Sequence, residues 1–448
     1  MIVDAIARYH ELLSPEVAAE SWDQLADAMR RTNLVFGERP ICTVLRPYLL
    51  APSEAELIYG AARLALSVLE RALERIPSSD YETVLGLSPR EAALARIECG
   101  FRPVETLARL DGFLTRDGHF GLVEYNAESP GGIAFGRTLA DIFLELPVMK
   151  RFAAEYRLSS EPVLEHSLDA LIGAYRSWGG KEPSPSIAIV DWKGAPTKTE
   201  FEICRELFEK RGYPTRIVDP EELSLEDGRL RAGDFVIDLV YRRLVASEAA
   251  SKLAPDHPLV RAAEQHVACV ASGFGAFALT SKALFAIVSD PATSTWIPSD
   301  ERMALERVLP WTRVVRDEAS TDWDGTTIGV LDFALREREQ LVVKPATEYG
   351  GSGVVLGWTV DDATWATALR DAAERPSVIQ RRVPLPTEPF PVVREGKLEL
   401  VEFMADIDPY RFNGQTGIGA GTRLSQSQLL NVTAGGGSAA PVFIIEPK

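Results

Sequence analysis

The segment RLDGFLTRDGHFGLVEYN, residues 109–126, constrains the fold more than any other part of the chain. Asp117-Gly118 is the strongest two-residue signal for a β-hairpin turn, because a type I′ turn needs positive φ at both central positions. With Arg116 and His119 closing that turn, Asp111 lies directly across from Glu124, and Arg109 across from Asn126. Side chains alternate along a strand, so these four share one face. Leu110, Leu114, Val123 and Tyr125 then point to the other face, toward a core. Two carboxylates directly opposed repel one another. A divalent cation would relieve the repulsion, since Asp, Glu and Asn oxygens suit Mg2+. A solvated face with Arg109 as counter-ion would relieve it as well, and the residues alone leave both open.

A second segment, VVKPATEYGGSGVV, carries Lys344, Glu348 and a glycine run. Glycine lets successive backbone N–H groups approach an anion with no Cβ in the way. Gly350, Gly351 and Gly353, with Ser352 among them, fall between two apolar strands. The P-loop pattern GxxxxGK[ST] is absent, so a flexible turn and a phosphate cradle both fit. Lys344 here and Lys282 in LTSKALF are of the residue type that commonly binds phosphate.

The chain has 448 residues, enough for two or three domains. With 46% hydrophobic and 25% charged residues it can form a sizeable core. Its net charge of −17 argues against binding a nucleic-acid backbone, which needs a basic surface. The four cysteines are scattered, without CxxC spacing, so disulfides and structural zinc are not expected. The opening MIVDAIARYHELL has an early Asp and no basic stretch, unlike a signal peptide, and no run reaches membrane-span length. A cytoplasmic setting is the expectation, with no membrane partner.

Residues 1–104 read as a helical N-terminal region. Ser14-Pro15 is a cap followed by proline at the first helical position. Ser53 with Glu56, and Ser88-Pro89 with Glu91, have capping-box spacing, and Gly100 is placed to close the second of these helices. KEPSPS, residues 181–186, is a linker by composition. Beyond it, residues 187–275 alternate strand and helix, which predicts a parallel sheet. A GxGxxG fingerprint is missing. Asp238, Tyr241, Arg242 and Arg243 fall near a strand end, where open α/β sheets place ligands, and structural ion pairs are the other reading. FALTSKALFAIVSD reads as strand, turn and helix, and SVIQRRV as a strand. No histidine pair has metal-ligand spacing and no GxSxG elbow occurs, so serine or cysteine nucleophilic catalysis has no support.

Taken together these motifs resemble the ATP-grasp ligases, in the circularly permuted branch that includes glutathionylspermidine synthetase and eukaryotic-type glutathione synthetase. RLDGF followed by VEYNAESP is similar to that branch's metal-binding hairpin. LTSKALF and KPATEYGGSG resemble its nucleotide lysine and its lysine-plus-glycine phosphate loop. SVIQRRV resembles the hinge strand beside adenine, with Gln380 at its centre. NVTAGGGSAAP resembles its mobile Ala/Gly-rich loop. In common ATP-grasp enzymes the metal-binding ExN follows the glycine-rich lid, whereas here it precedes the lid.

The resemblance implies an α/β fold with an ATP-grasp core in permuted order. Residues 105–180 would be the metal-binding part of the core. Residues 187–275 would be a small Rossmann-like α/β domain, and 276–448 the nucleotide-binding lobe with the C-terminal glycine-rich loop. It implies ATP and Mg2+ as cofactors, and ligation of a small-molecule or peptide carboxylate to an amine acceptor through an acyl phosphate. Asp111, Glu124, Asn126 and Glu348 would hold metal. Lys282, Lys344, Gly350, Gly351, Ser352, Gly353 and Gln380 would hold nucleotide. Arg109 would steady the transferring phosphoryl group, and Arg423 would orient a carboxylate. The Gly350–Gly353 and Ala434–Gly437 loops would exclude water. Phosphotransfer or ligation to a non-amine acceptor, and a non-catalytic nucleotide-binding scaffold, are the alternatives. Nothing in the sequence names the acid or the acceptor.

Overall fold

The computed structural model describes residues 1–36, 39–128, 130–428 and 437–448. The N-terminal region is largely helical, with helices Ile2–Glu11, Pro15–Arg31 and Pro52–Glu74 as its longest elements. Local signals account for several boundaries. Ser14 Oγ accepts from Val17 N, and Ser88 and Glu91 form a reciprocal capping box at Pro89–Ala95. Each such cap contributes about 1 kcal/mol by satisfying backbone N–H groups that have no helical partner. The Ser53/Glu56 expectation is corrected. The cap lies two residues earlier, at Ala51, so the helix starts at Pro52, and the Glu54 carboxylate accepts the Ala51 backbone N–H at 2.8 Å. Gly100 does not close the Pro89 helix either, which ends at Ala95.

The 187–275 segment contains a four-stranded parallel sheet, in spatial order Cys269–Ala271, Leu239–Arg242, Ile187–Val190, Thr215–Val218. Parallel strands need covering on both faces, and the four residues of Ile187–Val190 are all buried. The stretch between the second and third strands in sequence forms its own antiparallel meander of Leu223–Glu226, Arg229–Ala232 and Phe235–Ile237. FVIDLVYRR is therefore two strands in two sheets, broken at Asp238.

Two antiparallel sheets position the site. One orders Gln415–Gly421, Asp408–Phe412, Leu107–Leu114 and Phe120–Asn126, so C-terminal strands are stitched to the hairpin. The other orders Thr312–Val314, Ser377–Arg381, Leu341–Pro345 and Val355–Leu356. The final strand, Val442–Pro447, pairs with both Tyr48–Leu50 and Tyr156–Ser159. One hydrophobic core accordingly runs from Ala5 to Ile445, while Trp311, Phe333, Leu341, Trp365 and Ile379 belong to a separate core of their own. FALT, expected as a strand, is the helix Phe277–Thr280, followed by a second helix, Ala283–Ser289. No helix among the described residues is long and apolar enough to cross a membrane.

The hairpin turn differs from expectation. Thr115, not Arg116, closes it: Thr115 N donates to the His119 carbonyl at 2.8 Å, and Gly118 alone takes positive φ, +88°. Leu114 then pairs with Phe120 and Gly112 with Leu122. That register would put Asp111 opposite Val123. A β-bulge at Val123 adds one residue to the second strand, and beyond it Asp111 faces Glu124 and Arg109 faces Asn126.

Candidate functional site

A cavity of about 900 Å³ lies between the two antiparallel sheets and reaches the C-terminal end of the parallel sheet. Its wall carries basic and acidic side chains in near-equal number, although the chain as a whole stands at −17. The hairpin supplies Arg109, Asp111, Glu124 and Asn126, while Leu110, Leu114 and Tyr125 are buried behind it. Val123, expected behind the hairpin as well, lines the cavity at the bulge.

Asp111 is held by cations from both ends of the chain. Arg109 Nε and Nη2 donate to its two oxygens at 2.8 and 3.0 Å, and Arg423 Nη2 donates at 2.7 Å. Asn126 Nδ2 adds a bond of 3.0 Å. Burial would raise this carboxyl, but Arg109 and Arg423 outweigh it and hold Asp111 well below the usual carboxylate range. Glu124 pairs with Lys282 Nζ at 2.9 Å. The opposition of Asp111 and Glu124 therefore needs no bound cation, because the protein's own cations relieve it.

Lys282 Nζ also donates to the Glu348 carbonyl at 2.8 Å, so Glu348 enters this cluster through its backbone while its side chain stands exposed at the cavity edge. Lys344 Nζ donates to the Gln380 side-chain oxygen at 2.7 Å and to the Val123 carbonyl at 3.2 Å. Burial brings the Lys344 ammonium down to about 8, against the pull of Glu124, with Lys282 lowering it further. Gln380 is 2% exposed and donates in turn to Thr312 Oγ1. Over this floor runs the glycine-rich connection between Leu341–Pro345 and Val355–Leu356. Gly350 and Gly351 take positive φ and line the cavity, with open space where a Cβ would stand. Ser352 N and Gly353 belong to the turn itself: Ser352 N donates to the Tyr349 carbonyl, and a Cβ on Gly353 would meet Pro345. Of the loop Ala434–Gly437, all but Gly437 lies outside the described residues.

Two residues that sequence reasoning missed complete the site. Asp406 and Asp408, each 1% exposed, flank Ile407 where the chain passes from the strand Lys397–Ala405 into Asp408–Phe412. Asp406 takes the Arg423 backbone N–H at 2.6 Å and its Nε at 2.7 Å. Asp408 lies 3.2 Å from Arg423 Nη2 and 3.6 Å from Arg109 Nε, and accepts from Gly112 N. Three carboxylates thus surround two guanidiniums. Burial pushes Asp406 and Asp408 upward, Asp408 well above its usual value with Asp111 and Asp406 adding to the effect. Two acids inside the apolar run FMADIDPY were the available signal.

Among the described residues no group of three His, Cys, Asp or Glu side chains is arranged to hold a metal ion by itself. Glu124 and Asn126 on one face suit a cation that brings most of its own oxygen ligands, as Mg2+ does when it arrives on phosphates. Of the residues at the strand end of the parallel sheet, Asp238 and Arg242 are structural. Asp238 accepts the Ser186 N–H and hydroxyl. Arg242, with no exposed surface, pairs with Glu128 at 2.7 Å and bonds the Ser272 and Leu244 carbonyls. Arg243 reaches the cavity wall, where it meets Glu200 and the Pro130 carbonyl.

Comparison with known proteins agrees with this architecture. The chain superposes on a glutathione synthetase-like effector from Globodera pallida in its apo form, with a TM-score of 0.63 at 13% identity, covering 96% of this chain and 98% of the other. The mixed α/β fold is thus glutathione synthetase-like. In sequence the chain is 28% identical over 268 residues to a Frankia casuarinae protein that bears the provisional name glutamate–cysteine ligase 2-2. It is 29% identical over the same length to a Frankia alni protein provisionally named glutamate–cysteine ligase 2-3. Each match takes in 56% of this chain and 28% of the relative, so the chain spans under a third of the curated relatives it matches. No family model matches.

Proposed function

We propose that this chain is an ATP-dependent, Mg2+-requiring carboxylate–amine ligase of the permuted ATP-grasp type. The observation that carries the proposal is the convergence of Lys282 and Lys344 with the Glu124/Asn126 face in one cavity, under a glycine-rich turn and beside Arg109 and Arg423. The hairpin and each of the two lysines are separated by more than 150 positions of sequence, yet Lys282 pairs with Glu124 at 2.9 Å and Lys344 donates to the Val123 carbonyl at 3.2 Å. The ligase names of the two Frankia proteins and the fold of the effector support the reading.

Mg-ATP would supply the phosphoryl group that turns a carboxylate into an acyl phosphate, from which an amine displaces phosphate to form an amide. Such chemistry asks the protein mainly for positioning and charge neutralisation. Glu124 and Asn126 would hold the metal, with Asp111 joining as its arginines turn to substrate and Glu348 approaching from the turn. Lys282 and Lys344 would neutralise phosphates. The N–H groups around Gly350 and Gly351 would cradle them, Ser352 and Gly353 shaping that turn. Gln380, at the base of the cavity, holds the Lys344 ammonium in place and would border the base. Arg109 and Arg423 would face the transferring group and the acid. The acid is a small molecule or peptide and the acceptor an amine.

The test is a screen of carboxylic acids with Mg-ATP and hydroxylamine, reading ADP and hydroxamate together. ADP release that rises with a given acid and yields its hydroxamate is the expected result. Acid-stimulated ADP release with no hydroxamate would exclude ligation.

A further inference from the structure

Arg109 and Arg423 both lie on Asp111, but they are not equivalent. Arg109 spends all three of its nitrogens: Nε and Nη2 on Asp111, Nη1 on the Gly131 carbonyl at 3.0 Å. The bonds and ion pairs of Arg423 use its backbone N, Nε and Nη2 and leave Nη1 out of them. Its side chain is also the more open of the two, 26% against 13%. An incoming anion in the cavity therefore finds on Arg423 a whole Nη1 outside these bonds, whereas every nitrogen of Arg109 is already engaged.

That capacity is useful only if the guanidinium stays in place when it exchanges Asp111 for the anion. Asp406 supplies the anchor. One of its oxygens takes the Arg423 backbone N–H and the other takes Nε, so the start of the side chain and its head are held by the same carboxylate. The Thr422 hydroxyl donates to the Asp406 carbonyl at 2.6 Å and ties the two strand ends together. Asp406 is 1% exposed, so water does not compete for these bonds. A planar guanidinium gripped along its Nε edge keeps its other edge free for a second anion.

We propose that Asp406 is a positioning residue that holds Arg423 as a donor to the transferring phosphoryl group beside Arg109. This rests on the nucleotide reading of the cavity. The probe is Mg-ADP alone and Mg-ADP with aluminium fluoride, which mimics the transferring phosphoryl group, titrated calorimetrically into the full chain. Wild type binds Mg-ADP, and fluoride complexation tightens it. D406N and R423Q keep Mg-ADP affinity within about twofold and each lose about tenfold or more of the tightening, as expected for one charge-assisted bond. The double variant is no worse than R423Q, because Asp406 acts only through Arg423. Should D406N not fold, D406E keeps the charge but displaces it by a methylene, and a loss of about threefold or more carries the same meaning. Full tightening in D406N or D406E, or losses that add in the double variant, would overturn the inference while Mg-ADP binding stands. Failure of wild type to bind Mg-ADP would overturn the nucleotide reading and the inference with it.

Discussion

The ammonium of Lys344 donates to the carbonyl of Val123, a residue 221 positions earlier in the chain. Val123 is the extra residue of the hairpin bulge. The irregularity that restores Asp111 opposite Glu124 thus also turns a carbonyl toward the lysine of the other sheet. Bulges commonly re-aim groups beside sites in this way.

Gly112, beside the bulge, is the sensitive position. A Cβ there would stand 2.7 Å from Phe120 Cζ and 3.1 Å from the Gly121 carbonyl. G112A should cost about 1–3 kcal/mol, since an overpacked site must displace a ring or a strand, and should lower ATP turnover with it. Urea midpoints and ADP release measure the two effects. An unchanged midpoint would show that the ring yields freely.

The pH dependence of nucleotide binding should follow Lys344. Its folded value of about 8 lies below the unfolded value of 10.5. The stability it contributes is thus full above 10.5 and is lost as pH falls through about 8, where the buried amine must charge. A bound polyphosphate favours the charged form, so binding near pH 8.5 should take up a proton. Calorimetry of Mg-ATP in two buffers of different ionisation enthalpy should show this uptake in wild type and not in K344M. Equal heats in both buffers for wild type would remove Lys344 from the phosphates.

Glu124→Gln and Asn126→Ala should each lower turnover by about a hundredfold or more, the scale for losing a group that acts on developing charge. Both are surface-lining cavity residues, so melting temperatures should move little. Near-wild-type turnover in either, with the fold intact by circular dichroism, would detach that residue from the chemistry.

Behind the hairpin, Glu105 is 1% exposed and lies 3.1 Å from Arg411 Nε in an ion pair not aligned as a hydrogen bond. Burial raises its carboxyl to about 7, against Arg411 and with help from Glu70. Its folded value exceeds the unfolded 4.5, so its contribution to stability is full below 4.5 and is lost as pH rises through about 7. E105Q should therefore gain on wild type above pH 7 and lose that advantage below 4.5. Urea midpoints of the two proteins at acid and mildly alkaline pH provide the comparison, and parallel pH curves would contradict it.

Much of this protein was legible in local sequence. The Ser88/Glu91 box, the Ser14 cap, the parallel strands after residue 186 and the glycine turn between two strands each depend on residues a few positions apart. The face shared by Arg109, Asp111, Glu124 and Asn126 was legible too, although the turn inferred for it was wrong. Two-residue closure at Arg116 and a three-residue loop followed by a bulge yield the same pairing at Asp111.

What the tertiary structure decided is everything that depends on distant neutralisation and packing. From the hairpin alone, two opposed carboxylates called for a metal or for solvent. In the fold, Arg423 and Lys282 arrive from elsewhere in the chain and balance them. Asp406 and Asp408 read as two acids in an apolar run, and only the pairing of their segment with the hairpin strand Leu107–Leu114 brings them to Arg109 and Arg423. The bulge at Val123 has no local signature, because its stabilisation comes from groups outside the hairpin: the Val308 carbonyl, which accepts the Leu122 N–H, and the Lys344 ammonium, which donates to the Val123 carbonyl. Turns and caps are set by hydrogen bonds within a few residues, whereas a buried charge is stable only where its counter-charges converge, and the whole chain's packing determines that place.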